Sequence, residues 1–320
     1  MLKTGLVLTG INNIFSVHSE NSIFTCTIKG KILKGLENVY NPLAAGDKVK
    51  FSVDEISENK GMIVERLKRS NEFSRWNNKR NAPQTIAANI DYLICVTSTG
   101  NPPFRPRFID RVLVMTDSDV RILIVLNKSD LGIDENIKSR MEDYKRIGYE
   151  YISCSAETGE NIDKLKRIIS GSISAFIGQS GVGKSALLSI LYPGHELKTG
   201  SISVKRDRGR HTTNHSRLIF EDAGGFIDTP GIREIEIFGI EAEDLGFHFC
   251  EFNDFSRNCK FQPCRHNNEP DCRVRQAVED GLIHPDRYES YIRILSSWIK
   301  KEITRFLWII VLQTYSNLIK

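Results

Sequence analysis

The order of two short motifs constrains the fold of this chain more than any other feature of its 320 residues. The segment GQSGVGKS, residues 178–185, fits the phosphate-binding pattern G-x-x-x-x-G-K-[ST] without a mismatch. The segment NKSD, residues 127–130, fits the guanine-reading pattern N-K-x-D, and it comes first in the chain. Ordinary GTP-binding domains have the opposite order. The strands of the predicted nucleotide-binding sheet must therefore be connected in a different sequence.

The phosphate motif lies between an apolar run, ISAFIG, and a helical pattern, ALLSILY, as a phosphate loop requires. Backbone N–H groups of the loop and the start of the helix converge on phosphate oxygens. We predict that Lys184 binds the β- and γ-phosphates and contributes to catalysis, and that the Ser185 hydroxyl binds Mg²⁺. The residues predicted to contact the phosphates are Gly178, Gln179, Ser180, Gly181, Val182, Gly183, Lys184, Ser185 and Ala186.

The phosphate motif alone leaves ATP and GTP open, and the NKSD segment favours GTP. Asp130 can accept hydrogen bonds from guanine N1–H and N2–H₂, and adenine offers neither donor. A site that leaves such a group unpaired discriminates by roughly 10⁴-fold or more. Asn127 and Lys128 are expected to brace the loop and flank the base. Ser155 and Ala156, in SCSA after a predicted strand, are expected to meet guanine O6.

Two further segments indicate switch regions. In DTPG, residues 228–231, Asp228 is predicted to hold Mg²⁺ through water, and the Gly231 N–H to contact the γ-phosphate. In RGRHTTNH, a threonine can complete the Mg²⁺ shell. We favour Thr213 and keep Thr212 as the alternative.

The residue after DTPG is Ile232, where GTPases such as Ras have a glutamine that orients the attacking water. Isoleucine cannot do this, so slow intrinsic hydrolysis is expected. His211, beside the threonines, is the predicted catalytic substitute. The alternative is a histidine that contacts a partner.

The remaining segments divide the chain into further domains. Short β-rich runs over residues 1–68 predict a small RNA-binding barrel such as an OB-fold, with a small sheet without a ligand as the alternative. Residues 69–88 are interpreted as a basic linker, and residues 89–240 alternate strands and helices as in a doubly wound GTPase sheet. Basic and aromatic residues interleave around the linker, which is typical of nucleic-acid binding, although a solvated linker would look the same. The predicted RNA contacts are Arg75, Lys79 and Arg80.

Four of the seven cysteines lie between residues 250 and 272. Cys259-x₄-Cys264-x-His266-x₅-Cys272 offers three thiolates and one imidazole, a set that suits tetrahedral Zn²⁺. With four protein ligands the site should be structural, with unrelated reduced thiols as the alternative. Cys250 is out of register and is interpreted as a core cysteine.

Composition places few limits on function. A net charge of +4 is mildly basic, the N-terminus lacks a secretion-signal pattern, and the longest strongly apolar run is residues 306–312. That run is far shorter than a membrane span of about 18 residues. We therefore expect a cytoplasmic protein without a membrane partner.

The motif order, the barrel-like N-terminus, GRHTT, DTPG and C-x₄-C-x-H-x₅-C together resemble the ribosome small subunit-dependent GTPase A family (RsgA, also called YjeQ), a circularly permuted GTPase family. The resemblance covers roughly residues 1–300. It implies an OB-fold, a permuted GTPase domain and an α-helical zinc-binding domain, here residues 241–302. Residues 303–320 depart from the family as an extension without a predicted role.

The same resemblance implies GTP hydrolysis to GDP during late maturation of the small (30S) ribosomal subunit, stimulated by that subunit and its rRNA. It also implies a catalytic role for the histidine of GRHTT, here His211. A monomer is expected. The alternatives are a GTP-dependent RNA-binding scaffold with incidental hydrolysis and, disfavoured by the barrel and basic segment, a signalling GTPase.

Overall fold

The computed structural model describes residues 2–28, 42–55, 57, 59–195, 216–221 and 224–299. The predictions for His211, Thr212, Thr213 and residues 303–320 lie outside the described residues. The chain divides into two compact units, Met1–Glu236 and Ile237–Lys320. Within the described ranges, no helix has the length and apolar character needed to cross a membrane.

Unit one begins with a closed five-stranded barrel. Its strands are β1 (Leu2–Ile11), β2 (Ile14–Ser19), β3 (Ser22–Ile28), β4 (Lys48–Val53) and β5 (Lys60–Arg66). They pair in the order β1-β2-β3-β5-β4, with β3 and β5 parallel and the other described pairs antiparallel. Alternate residues point inward, so Val17, Phe24 and Phe51 form a buried core while their neighbours face solvent. The predicted barrel is confirmed.

Residues 69–88, which the sequence pattern assigned to a linker, instead form an antiparallel hairpin of β6 (Glu72–Asn77) and β7 (Ala82–Ala88). Phe73 is fully buried in the core beneath it. Arg69 donates two hydrogen bonds of 2.7 Å to the fully buried Asp47, from Nε and Nη2. These contacts fix the hairpin, because a buried paired charge left without its partner is strongly destabilising.

A six-stranded sheet follows. Its strands are β8 (Tyr92–Ser98), β9 (Arg121–Asn127), β10 (Glu150–Ser153), β11 (Ile173–Gly178), β12 (Arg217–Glu221) and β13 (Gly224–Asp228). They lie in the order β10-β9-β8-β11-β13-β12, and all neighbours are parallel except β12 and β13. NKSD, SCSA, the phosphate loop and DTPG therefore all fall at the carboxyl ends of parallel strands, where open α/β sheets bind ligands.

Helices cover both faces of this sheet. They are α1 (Pro106–Met115), α2 (Glu135–Arg146), α3 (Ile162–Ile169) and α4 (Lys184–Leu191). Alternate strand residues belong to two different cores: Cys95 packs with α1 and α2, whereas Ile94 packs with α3 and α4. The strands are buried on both sides, which explains their near-continuous apolar runs.

Unit two is helical in its described part. It contains α5 (Asn253–Ser256), α6 (Arg273–Glu279) and α7, residues 285–299. Its core includes Phe249, Phe252 and Tyr291, whose rings pack against one another. The sequence prediction of a C-terminal helical domain is confirmed.

Candidate nucleotide and metal sites

The phosphate loop connects β11 to α4, as its motif predicts. Gly183 precedes the first residue of α4 with a φ of +89°, a conformation that favours glycine. A Cβ atom at this position would lie 2.2 Å from Nδ2 of Asn127, much closer than real contacts allow. The loop therefore needs glycine here for two reasons, its backbone conformation and the approach of Asn127.

Lys184 joins the phosphate loop to the DTPG segment. Its side chain is buried, and Nζ donates to the carboxylate of Asp228 and to the carbonyl oxygen of Thr229. Thr229 is held in turn, because its hydroxyl donates to the carbonyl of Phe176 at 2.7 Å. The ammonium thus lies between the ends of β11 and β13.

Asn127 joins three loops of the site. The side chain is 1% exposed; Nδ2 donates to the carbonyl of Val182 at 2.9 Å, and Oδ1 accepts from the N–H of Ala156 at 3.1 Å. The base-reading loop, the phosphate loop and SCSA are therefore held together by one buried amide. These contacts brace the loops around the expected base site, and the role of Asn127 in nucleotide binding stays a prediction.

Lys128 makes a second connection, and it involves two residues that sequence reasoning missed. Its Nζ donates to the carbonyl of Gly181 at 2.8 Å and to that of Asn101. Its backbone is left-handed, with φ +65°, and the Thr99 hydroxyl donates to its carbonyl at 2.6 Å. The available signal was position, since Thr99 and Asn101 follow the carboxyl end of β8 at the same edge of the sheet.

Asp130 is exposed, and its Oδ1 accepts a hydrogen bond of 2.5 Å from the hydroxyl of the buried Ser155. The Ser155 oxygen also accepts from the N–H groups of Glu157 and Thr158, at 3.2 and 3.1 Å. These bonds orient the carboxylate. Asp130 is exposed in this structure. Its carboxylate can therefore discriminate against adenine only when a bound base covers it and excludes water.

Ile232 is 2% exposed and packs in the sheet core, and its N–H donates to the Gly178 carbonyl at 3.1 Å. An apolar buried side chain cannot orient water. The following residue, Arg233, also contacts the phosphate loop, because its carbonyl accepts a hydrogen bond of 3.1 Å from Gln179 Nε2.

In unit two, Cys259, Cys264, His266 and Cys272 come together, with their ligand atoms all within 4.8 Å of one another. The Cys259 and Cys272 sulfurs are 3.9 Å apart, and His266 Nδ1 is 3.6 and 3.4 Å from them. Tetrahedral zinc with Zn–S of about 2.3 Å and Zn–N of about 2.1 Å would place such atoms about 3.6–3.8 Å apart. The cluster fits such an ion.

Charge chemistry agrees with that fit. Burial, together with charge on Cys272 and Cys259, raises the pKa of the Cys264 thiol to about 12. Burial lowers the pKa of His266, which keeps the imidazole neutral and able to coordinate. Three thiolates at these distances repel one another, so they form together only when a cation such as zinc neutralises them. Cys250 is outside the cluster as expected, but it is exposed, so its interpretation as a core cysteine was wrong.

The three predicted RNA contacts lie on the β6–β7 hairpin. Lys79 and Arg80 are exposed in its turn, where Asn77 Oδ1 accepts from both backbone N–H groups, at 3.1 and 3.3 Å. Arg75 is half-buried on β6 and donates to Gln84 Oε1. The hairpin thus presents two exposed cationic residues at its tip and a third along its strand.

Comparison with known proteins identifies the family. The model of the RsgA GTPase family matches residues 66–238. A protein called small ribosomal subunit biogenesis GTPase RsgA, from Borreliella burgdorferi, is 39% identical over 293 residues, which span 91% of this chain and 94% of that protein. Its namesake from Geobacillus thermodenitrificans is 38% identical over 299 residues, or 92% and 97%.

The chain belongs to the RsgA GTPase family. Solved structures agree. YjeQ from Thermotoga maritima superposes with a TM-score of 0.73 at 32% identity, covering 93% of this chain and 99% of that one. YloQ, described as a circularly permuted GTPase, gives 0.69 at 28% identity, covering 94% and 96%. The family resemblance and the permuted fold inferred from motif order are confirmed, and the chain is a GTPase.

Proposed function

We propose that this RsgA-family GTPase acts in late maturation of the small (30S) ribosomal subunit, binding the subunit and its rRNA and hydrolysing GTP to GDP when docked there. The observation that carries the proposal is the meeting of four nucleotide motifs at one sheet edge, joined by Asn127, Lys128 and Lys184. The relatives' names supply the subunit. As a partner of that subunit, the protein acts in the cytoplasm, as a monomer.

In this proposal Lys184 exchanges its contact with Asp228 for the β- and γ-phosphates, and Asp130 accepts from the guanine edge. Oxygen donors suit Mg²⁺. The Ser185 hydroxyl at the start of α4 would bind Mg²⁺ directly, Asp228 would do so through water, and Thr213 would complete the set. The ion supplies neutralisation of charge that develops on the phosphates. The Gly231 N–H would contact the γ-phosphate.

Catalysis needs the attacking water to be positioned. The burial of Ile232 leaves that role to another group. We assign it to His211, acting when the protein is docked on the subunit. His211→Ala should then bind GTP and the subunit normally, lose most subunit-stimulated hydrolysis and remain on the subunit longer. If that variant keeps normal subunit-stimulated hydrolysis, the attacking water must be positioned by rRNA or by another switch residue.

We assign zinc to the Cys₃His cluster in unit two. Four protein ligands leave no open coordination position, so the ion would be structural. In small modules such zinc binding contributes on the order of 10 kcal/mol to folding. This ion would hold the ligand loop and the helices around it in one arrangement.

Subunit recognition is tested by sedimentation. The protein is mixed with purified small subunits and a non-hydrolysable GTP analogue, or with GDP, and centrifuged through sucrose; purified large subunits are the matched control. We expect co-sedimentation with small subunits in the presence of the analogue and release in the presence of GDP. Equal binding to both subunits, or no binding to either, would contradict the proposal.

A further inference from the structure

Two tyrosine hydroxyls on α7 hold the backbone of the metal-ligand loop. Tyr288 donates to the carbonyl of His266 at 2.7 Å, and Tyr291 donates to the carbonyl of Arg265 at 2.6 Å. Positions three apart lie on the same face of a helix. One turn of the helix therefore donates hydrogen bonds to two consecutive backbone carbonyls. One of these carbonyls belongs to the histidine of the Cys₃His cluster.

His266 has an unusual backbone conformation. His266 has a φ of +53°, in the left-handed region that residues with a Cβ adopt infrequently. Such conformations persist when the surrounding structure fixes them. Here the other side of the loop is also fixed, because the Glu269 carboxylate accepts from the N–H groups of Arg265 and Asn267, at 3.0 and 2.9 Å. Hydrogen bonds on both sides therefore fix the backbone from which the imidazole projects.

The helix that carries the tyrosines is itself firmly anchored. Arg287, next to Tyr288, is fully buried and donates to both carboxylate oxygens of Glu251, at 2.6 and 3.1 Å. The Phe252 ring meets the His266 ring edge-on, with centroids 5.9 Å apart. The hydroxyls therefore reach the ligand loop from a fixed position.

We propose that Tyr288 and Tyr291 are positioning residues for the metal, and that metal binding and docking of α7 form one cooperative unit. The proposal rests on the zinc assignment made above. The hydroxyls hold His266 in the conformation that directs Nδ1 at the three sulfurs. By reciprocity of coupling, the bound ion stabilises α7 as much as α7 stabilises the bound ion.

The test uses the full chain and Tyr288→Phe, Tyr291→Phe and the double variant, since phenylalanine keeps the packed ring and removes only the hydroxyl. Ser290→Ala is the matched control. Ser290 lies on the same helix, is buried, and its hydroxyl has no hydrogen-bond partner in the described part of the chain. Zinc release into a chromophoric chelator is timed for each protein after its zinc content is measured. Cobalt-substituted samples report ligand geometry by their visible absorption.

Losing one hydrogen bond should speed zinc release about 2- to 10-fold for each single variant, and more for the double variant. The cobalt bands should change most in Tyr288→Phe, and Ser290→Ala should match the wild type in both measurements. Wild-type release rates and cobalt spectra in the tyrosine variants, at full zinc content, would overturn the positioning role alone. A wild type without metal would overturn the zinc site and the proposal together.

Discussion

Gly183→Ala tests whether the phosphate loop and the base-reading loop depend on one another. The new Cβ would lie 2.2 Å from Asn127 Nδ2, so the amide must move and lose its bond to the Val182 carbonyl. The left-handed backbone adds about 1–2 kcal/mol for a residue with a Cβ. Leaving buried polar groups unpaired adds about 1–3 kcal/mol.

These terms sum to about 2–5 kcal/mol against the binding-competent loop. At about 1.4 kcal/mol per tenfold, the affinity for guanine nucleotides should fall roughly 30- to 4,000-fold. Gly148→Ala is the control, because Gly148 has a φ of +101° with nothing within 4 Å of the added Cβ. It should lose about 1–2 kcal/mol of stability through strain alone and leave nucleotide affinity unchanged.

The assay is a titration with a fluorescent GDP analogue, and thermal unfolding of both variants shows that each is folded. A Gly183→Ala protein with the wild-type dissociation constant would refute the reasoning. An equal loss of nucleotide affinity in Gly148→Ala would also refute it, because backbone strain at a distant glycine would then explain the loss without the contact to Asn127.

Asp130→Asn should lower GTP affinity and shift preference toward xanthine nucleotides, whose extra carbonyl suits an amide donor; an unchanged nucleotide profile would reject the role of Asp130. Cys264→Ser should reduce zinc from about one ion per chain, as measured by elemental analysis, while Cys250→Ser retains it. Thr99→Val should weaken guanine-nucleotide binding about 2- to 10-fold by freeing the Lys128 carbonyl, and Thr99→Ser should restore it. Replacing Arg75, Lys79 and Arg80 together with alanine should weaken binding to the small subunit. The slope of log affinity against log salt concentration should fall by roughly one unit per lost phosphate contact. An unchanged affinity and slope would show that these side chains are merely solvated.

Much of the fold and the nucleotide loops could be predicted from sequence, because each motif combines a strand end with a chemical requirement. NKSD follows an apolar strand and DTPG ends one, so parallel pairing places them together without knowledge of side-chain contacts. The Cys₃His spacing likewise predicted a cluster, since thiols and imidazole at short intervals have few other uses.

The remaining features depend on contacts between residues distant in sequence. The hairpin at residues 69–88 is fixed by Arg69 and Asp47, and a basic run does not show that one arginine will be buried. Thr99 belongs to no motif and matters only because β8 ends beside β9. Cys250 differs from the ligand cysteines by exposure, which its sequence neighbours did not indicate.

Single-turnover GTP hydrolysis, with and without saturating purified small subunits, tests the central claim most directly. With Ile232 buried, the free protein should hydrolyse GTP slowly. Docking should accelerate it on the order of 100-fold or more, because positioning a reactant lowers a barrier by several kcal/mol. Equal rates with and without subunits, in a protein that still binds them, would contradict the enzyme account and favour a GTP-dependent scaffold.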